Sequence, residues 1–253
     1  MKLLTDIKLL VKRPFLQEFH NPTWLFVSGS TPIMYLVLFM PLLKRLSSGP
    51  GFSTGNVIQL FLPGIIALLA FGTGNFAGFS TIFQLRNGFI ERLRVTPASR
   101  FALLIGPILS SMAWSLIFSA VIVCLSVPFG FHIHLMGLLV YTLLLITMII
   151  LFSSISTSLA ILAREISTFA AIVNGINLPL ILLGGVMLPL TLAPNWMRFI
   201  AHVNPLYYVV EAGRALANGQ IGVNAVGVAF AVMLPLTIIV LWWSMRIYSK
   251  AVS

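Results

Sequence analysis

Charged side chains are scarce in this chain, so the places where they gather are the places to look for chemistry. Of five acids and fifteen basic residues, one acid and four arginines fall within residues 84–100, QLRNGFIERLRVTPASR. In the run FIERLRV, a helix would put Phe89, Ile90 and Leu93 on one face and Glu91, Arg92 and Arg94 around the rest. Thr96-Pro97 biases the chain toward an extended exit, and Arg100 follows. A single acid among arginines has no general acid–base partner; what it offers is a charged, amphipathic surface for a soluble partner to grip. The second charged pair is Glu211 and Arg214 in LYYVVEAGRALA, where i, i+3 spacing lets the two side chains pair.

Other chemistries are excluded or weakly signalled. No lysine follows a glycine, so there is no phosphate-cradling P-loop and the chain cannot grip nucleotide in that way. Residues 51–55, GFSTG, match the spacing of a nucleophile elbow. That elbow needs a strand before it and a helix after it, whereas here the flanks are a Gly/Ser/Pro loop and an apolar run. His132 and His134 stand two apart without a third ligand, which is weak grounds for a metal. No carboxylate lies near the middle of an apolar run, as an ion-coupled transporter would require.

The elements that must position these residues are membrane spans. The chain is 59% hydrophobic and 8% charged, against about 25% charged in soluble domains. Six runs are long enough to cross roughly 30 Å of hydrocarbon, near 23–43, 57–82, 101–127, 136–163, 168–190 and 224–246. Residues 1–22 carry Leu3, Leu4, Ile7, Leu10 and Val11 at helical spacing, an interfacial amphipathic helix ended by Pro14 and a turn at Asn21-Pro22. This start lacks the uninterrupted apolar core and small-residue site of a cleavable signal. With the N-terminus inside, the inner segments hold Lys2, Lys8, Lys12, Arg13, Arg86, Arg92, Arg94, Arg100, Arg164, Arg246 and Lys250, while the outer ones hold Lys44, Arg45, Arg198 and Arg214. This asymmetry places both termini and residues 84–100 in the cytoplasm. The net charge of +10 is spread over short segments, which fits orientation in a membrane rather than nucleic-acid binding. Between the last two spans, Pro189, Pro194 and Pro205 divide residues 187–220 into pieces too short to cross, with Trp196, Tyr207 and Tyr208 as interfacial aromatics. Gly74 and Gly78 form a G-x-x-x-G, and SSISTS at 153–158 is a second small-residue seam for close helix packing. The lone Cys124 lies in an apolar run and has no intrachain partner for a disulfide.

The stretch GFIERLRVTPASR at 88–100 resembles the cytoplasmic segment of ABC-2 type permeases, the daunorubicin-resistance-like branch of ABC exporters. NPLYYVVEA at 204–212, the preceding Leu188-Pro189 and Pro194-Asn195-Trp196, and the amphipathic start leading to Asn21-Pro22 are similar to that family in the same order along the chain. The resemblance implies one all-α permease domain over 1–253 with six transmembrane helices, in a bacterial inner membrane. It implies two copies of the permease paired with two ATP-binding subunits. ATP and Mg2+ would be held by the partner and no cofactor by this chain. Phe89, Glu91, Arg92, Arg94, Thr96, Pro97 and Arg100 would then belong to the helix that docks into the ATPase. Asn195, Trp196, Tyr207, Tyr208, Glu211 and Arg214 would belong to an outer gate of short helices.

Phe71, Asn75, Asn174 and Asn177 are the candidate lining of a substrate pathway, since few polar side chains fall in mid-span. That sparsity favours a hydrophobic or amphipathic cargo, a drug or lipid, as in multidrug efflux. Polysaccharide or lipo-oligosaccharide export by a related permease is the alternative. An ion-coupled secondary transporter is the alternative from another class.

Overall fold

The computed structural model describes residues 16, 19–20, 30, 33–34, 37–38, 57–86, 100–187, 190 and 193–252. Among them there is no strand. Seven complete helices follow in order: α1 (Val57–Arg86), α2 (Arg100–Ser126), α3 (Leu135–Ala163), α4 (Ile166–Leu183), α5 (Asn195–Ala201), α6 (Pro205–Ala217) and α7 (Asn224–Val252). Five of these, all but α5 and α6, are long and apolar enough to cross a membrane. They answer five of the six expected spans. Of the expected first span, Ser30, Ile33, Met34, Val37 and Leu38 are described, all helical and at i, i+3, i+4, i+7, i+8 spacing. Of the interfacial start only Leu16, Phe19 and His20 are described; Phe19 stacks on Trp114 of α2 with ring centroids 6.3 Å apart.

Each span stops where the backbone chemistry changes. α2 runs into a single 3-10 turn, Val127–Phe129, closed by Gly130 at φ +96°. α3 ends at Arg164 in the left-handed region (φ 56°), whose N–H still reaches the Ala160 carbonyl at 3.1 Å. α4 is shorter than the expected 168–190, because Gly184 and Gly185 (φ +64°) turn the chain after Leu183. α1 runs four residues past the expected end at 82: no breaker intervenes before Gly88, and the Gln84 amide donates to Ser80 Oγ one turn back at 3.2 Å. Gln84, Leu85 and Arg86 therefore belong to the spanning helix rather than to a separate charged one.

α3 is the axis of the bundle, packed against α1, α7, α6, α2 and α4. Its buried residues include Leu144, Met148, Ile149, Leu151 and Phe152, which meet Leu62, Ile66 and Phe71 of α1 in one core. Lipid competes for apolar contact inside a membrane, so close approach and buried hydrogen bonds must hold such helices together. Both occur where the sequence shows small residues. A side-chain carbon on Gly78 would collide with Ser156 and the Phe169 ring, and one on Gly74 would lie 3.0 Å from Phe152 Cβ. Ser156 Oγ donates to the Asn75 carbonyl at 2.5 Å and accepts from the Gly78 N–H at 3.1 Å. On the opposite side of α3, Ser158 donates to Ser244 of α7 at 2.8 Å. At the end of the bundle where α1, α3 and α7 finish and α2 begins, Leu85, Ile108, Ile161 and Tyr248 pack together.

Candidate functional site

The outer-gate candidates divide between a docked helix and an exposed one. Helix α6 starts where Asn204 caps it: Asn204 Oδ1 accepts from the Leu206 N–H at 3.0 Å, and Pro205 fills the first helical position, which has no N–H to satisfy. The same side chain donates from Nδ2 to the Leu180 carbonyl at 2.7 Å, so the cap also ties α6 to the end of α4. Leu206, Val209, Val210, Ala212, Gly213 and Leu216 are buried, and the helix sits against α1 and α3. Gly213 permits that approach, since a side-chain carbon there would lie 2.5 Å from the Tyr141 ring. Tyr141 in turn donates its hydroxyl to the Pro63 carbonyl at 2.5 Å. A small cavity of about 20 Å³, lined by Leu62, Pro63, Phe131, Tyr141 and Gly213 among others, remains beside this contact.

Arg214 is the polar centre of this end. Its side chain is 6% exposed and its Nη1 pairs with Glu211 Oε1 at 2.6 Å, as the spacing predicts. Beyond that pair, Nε donates to the Leu60 carbonyl of α1 at 3.0 Å and Nη2 to the Gly185 carbonyl after α4 at 2.6 Å. A planar guanidinium with donors on several edges can join three segments in this way; an ammonium could not hold the same fork. Glu211 is more open, at 29%.

Tyr207 and Tyr208 stand edge to face, ring centroids 5.3 Å apart, with His202 against both. Burial, and then the nearby Glu211 carboxylate, hold the Tyr207 phenol above its ordinary value. By contrast α5 is exposed: Trp196, Phe199 and Ile200 face outward, as does Asn195, and so does Val203 in the turn after it. Arg198 anchors α5 by donating Nε to the Leu190 and Ala193 carbonyls, each at 3.0 Å.

Two of the pathway candidates meet. Asn75 Nδ2 of α1 donates to Asn177 Oδ1 of α4 at 2.8 Å, so each mid-span amide partly satisfies the other. Asn174, one turn earlier, points away from the bundle together with Ser167, Ala171, Gly175, Leu178 and Leu182, a single exposed face of α4. Phe71 does not join them: it is 1% exposed and lies edge-on to Phe152 in the core.

Of the coupling candidates, Arg100 is the first residue of α2, and Phe89, Glu91, Arg92, Arg94, Thr96 and Pro97 lie outside the described residues. Arg86 ends α1, Arg164 follows α3, and Arg246 and Lys250 lie in the last turns of α7, so these cations and Arg100 share one end of the bundle. Arg198 and Arg214 mark the other. His132 is exposed, and the His134 ring pairs with the Ala217 carbonyl at 3.1 Å. Among the described residues no three potential ligands gather for a metal.

Sequence reasoning anticipated the Glu211–Arg214 pair but not its carbonyl partners, nor the Asn75–Asn177 bond. Gly213 beside Arg214 is the one signal that α6 packs closely rather than covering a surface.

Long apolar helices without interior acids, packed through glycine and serine contacts, define a multi-pass helical membrane protein. A family model described as ABC-2 type transporter matches residues 5–217. The chain belongs to that family, and the charged segment at 84–100 and helices α1 to α6 all fall within the match. It is 30% identical over 219 residues to a putative transport permease, ycf38, of Cyanophora paradoxa, covering 84% of this chain and 74% of that one. The corresponding protein of Porphyra purpurea is 27% identical over 216 residues, with the same coverage. The inner membrane transport permease YadH of Escherichia coli K12 is 27% identical over 227 residues, 85% of this chain and 84% of that one.

Proposed function

We propose that this chain is the permease subunit of an ATP-driven exporter that moves a hydrophobic or amphipathic molecule, drug-like or lipid-like, out of the cytoplasm or the inner leaflet. The match to the ABC-2 type transporter family across residues 5–217 carries the reading. ATP and Mg2+ belong to a separate ATP-binding subunit, two copies of which grip residues 84–100 of two permeases in a bacterial inner membrane, with both permease termini cytoplasmic. Glu91, Arg92 and Arg94 supply the polar contacts with that subunit, and Phe89, Thr96, Pro97 and Arg100 shape the segment. Helices α5 and α6, with Asn195, Trp196, Tyr207, Tyr208, Glu211 and Arg214, form the outer gate.

The exposed face of α4 supports a second copy and an apolar cargo. An asparagine facing hydrocarbon leaves amide hydrogen bonds unmade, and small neighbours such as Ala171 and Gly175 admit another helix closely. Apart from Asn174 and Ser167 the face is apolar and carries none of the aromatic platforms expected for a sugar chain.

Reconstitution tests the proposal. The permease is co-expressed with the ATP-binding subunit encoded beside it and placed in proteoliposomes, and ATP-dependent movement of a fluorescent lipid and of a hydrophobic dye is followed. ATP-dependent movement of either supports the reading. Movement without ATP under an imposed ion gradient refutes it in favour of ion coupling, and movement of oligosaccharide alone refutes the cargo class.

A further inference from the structure

The lipid-facing side of α7 ends in an arrangement that the transport reading does not use. Val228, Leu234, Ile238 and Ile239 form an exposed apolar stripe that runs into Trp242 and Trp243, 55% and 41% exposed. One turn further, the Arg246 guanidinium lies over Trp242, its central carbon 3.6 Å from the ring centroid. From Val228 to Arg246 the helix rises roughly 27 Å, close to the thickness of the hydrocarbon layer, which puts the guanidinium at the membrane–water boundary.

Among the described residues no carboxylate pairs with Arg246; the single ion pair there is that of Arg214 with Glu211, at the opposite end of the bundle. A guanidinium held over a ring by its charge still offers N–H donors in a fork that can take two oxygens of a phosphate side by side. Holding the group on a ring also removes much of the freedom that a long side chain would otherwise lose on binding.

We infer that Trp242 and Arg246 form a binding site for the phosphate of an anionic glycerophospholipid, one acyl chain lying along the Val228–Ile239 stripe. The positive charge selects a net-negative headgroup over a zwitterionic one. The apolar stripe selects a lipid over free phosphate. The inference stands apart from the transport reading and needs neither ATP nor a second subunit.

The test uses the purified full chain in detergent micelles doped with phosphatidylglycerol or phosphatidylcholine, read by thermal unfolding and by quenching of tryptophan fluorescence with the brominated lipids. Wild type is expected to be stabilised and quenched at lower concentrations of phosphatidylglycerol than of phosphatidylcholine. Arg246→Gln should raise the half-saturating phosphatidylglycerol about tenfold, as for loss of one charge-assisted hydrogen bond. Arg164→Gln, at the same end of the bundle, should leave it unchanged. Arg246→Lys keeps the charge without the fork and should weaken phosphatidylglycerol binding while keeping the preference for it over phosphatidylcholine, which keeps the test open if the glutamine variant fails to fold. Equal response of wild type to the two lipids, or an Arg246→Lys protein with wild-type half-saturation, overturns the site. Equal stabilisation by inorganic phosphate alone overturns the lipid as its ligand.

Discussion

Replacing Arg214 with leucine should be the most damaging single change at the α5–α6 end of the bundle. The side chain is 6% exposed and makes three contacts: Glu211 at 2.6 Å, the Gly185 carbonyl at 2.6 Å and the Leu60 carbonyl at 3.0 Å. A hydrogen bond from a charged donor contributes about 1.5–3 kcal/mol. The lower figure suits Leu60, whose carbonyl also lies within α1, and the higher suits Gly185, in a turn. Stranding one member of a fully buried ion pair costs about 3–5 kcal/mol. Glu211 remains 29% exposed and can draw on water, so we take about 1 kcal/mol for it. The total, about 5.5 kcal/mol, corresponds to a fall of roughly 11–22 °C in the unfolding midpoint of a chain this size. Glu211→Gln, which keeps a hydrogen-bond acceptor beside Arg214, should cost about 1 kcal/mol and a few degrees. Differential scanning fluorimetry of the purified variants measures both. A midpoint for Arg214→Leu within about 3 °C of wild type would mean that the guanidinium does not tie α6 to α1 and to the turn after α4.

Glu91→Ala should insert normally but lower ATP hydrolysis and export together when assayed with the ATP-binding subunit; unchanged coupled transport removes the role given to that residue. Glu211→Gln should impair export while the ATP-binding subunit still co-purifies, since the proposed gate lies at the opposite end of the bundle from the proposed docking segment. In a Cys124→Ser background, Ser53→Cys should react with an impermeant thiol reagent applied from outside and Asn87→Cys only after permeabilisation; the reverse pattern inverts the topology. Gly78→Leu should abolish stable folding, because Ser156 and Phe169 occupy the space its side chain needs, whereas Gly72→Leu in the same helix meets nothing within 4 Å and should be tolerated. Expression and monodispersity on size exclusion distinguish that pair.

The spans were legible because a 20-residue apolar run has few other folds open to it. Three of their ends differed from the apolar runs. α1 ran on to Arg86 because nothing before Gly88 stops it, α7 ran past 246 to Val252 because no glycine or proline follows there, and α4 stopped at Leu183 because the Gly184–Gly185 turn outweighs the apolar residues beyond. Glu211 and Arg214 were readable as a pair because their contact is local, three residues along one helix. The bonds of Arg214 to Leu60 and Gly185, of Asn75 to Asn177 and of Ser158 to Ser244 join residues 29 to 154 positions apart. No periodicity within a helix encodes such a partner. Phe71 shows the converse limit, since an aromatic in mid-span reads the same whether it lines a passage or fills a core.

Ser156 engages α1 at two points one turn apart, the Asn75 carbonyl and the Gly78 amide, while Gly74 and Gly78 bring the two backbones together. Mechanically this is an index pin. Sliding α1 along α3 by a fraction of a turn would break both bonds and drive side chains into the glycine notches, so the next equivalent seating lies about 5.4 Å away. The two helices must therefore travel as one strut in any working cycle. Displacement is left to the elements that α3 holds more loosely, α4 above all, which a single Asn75–Asn177 bond latches to that strut in mid-span.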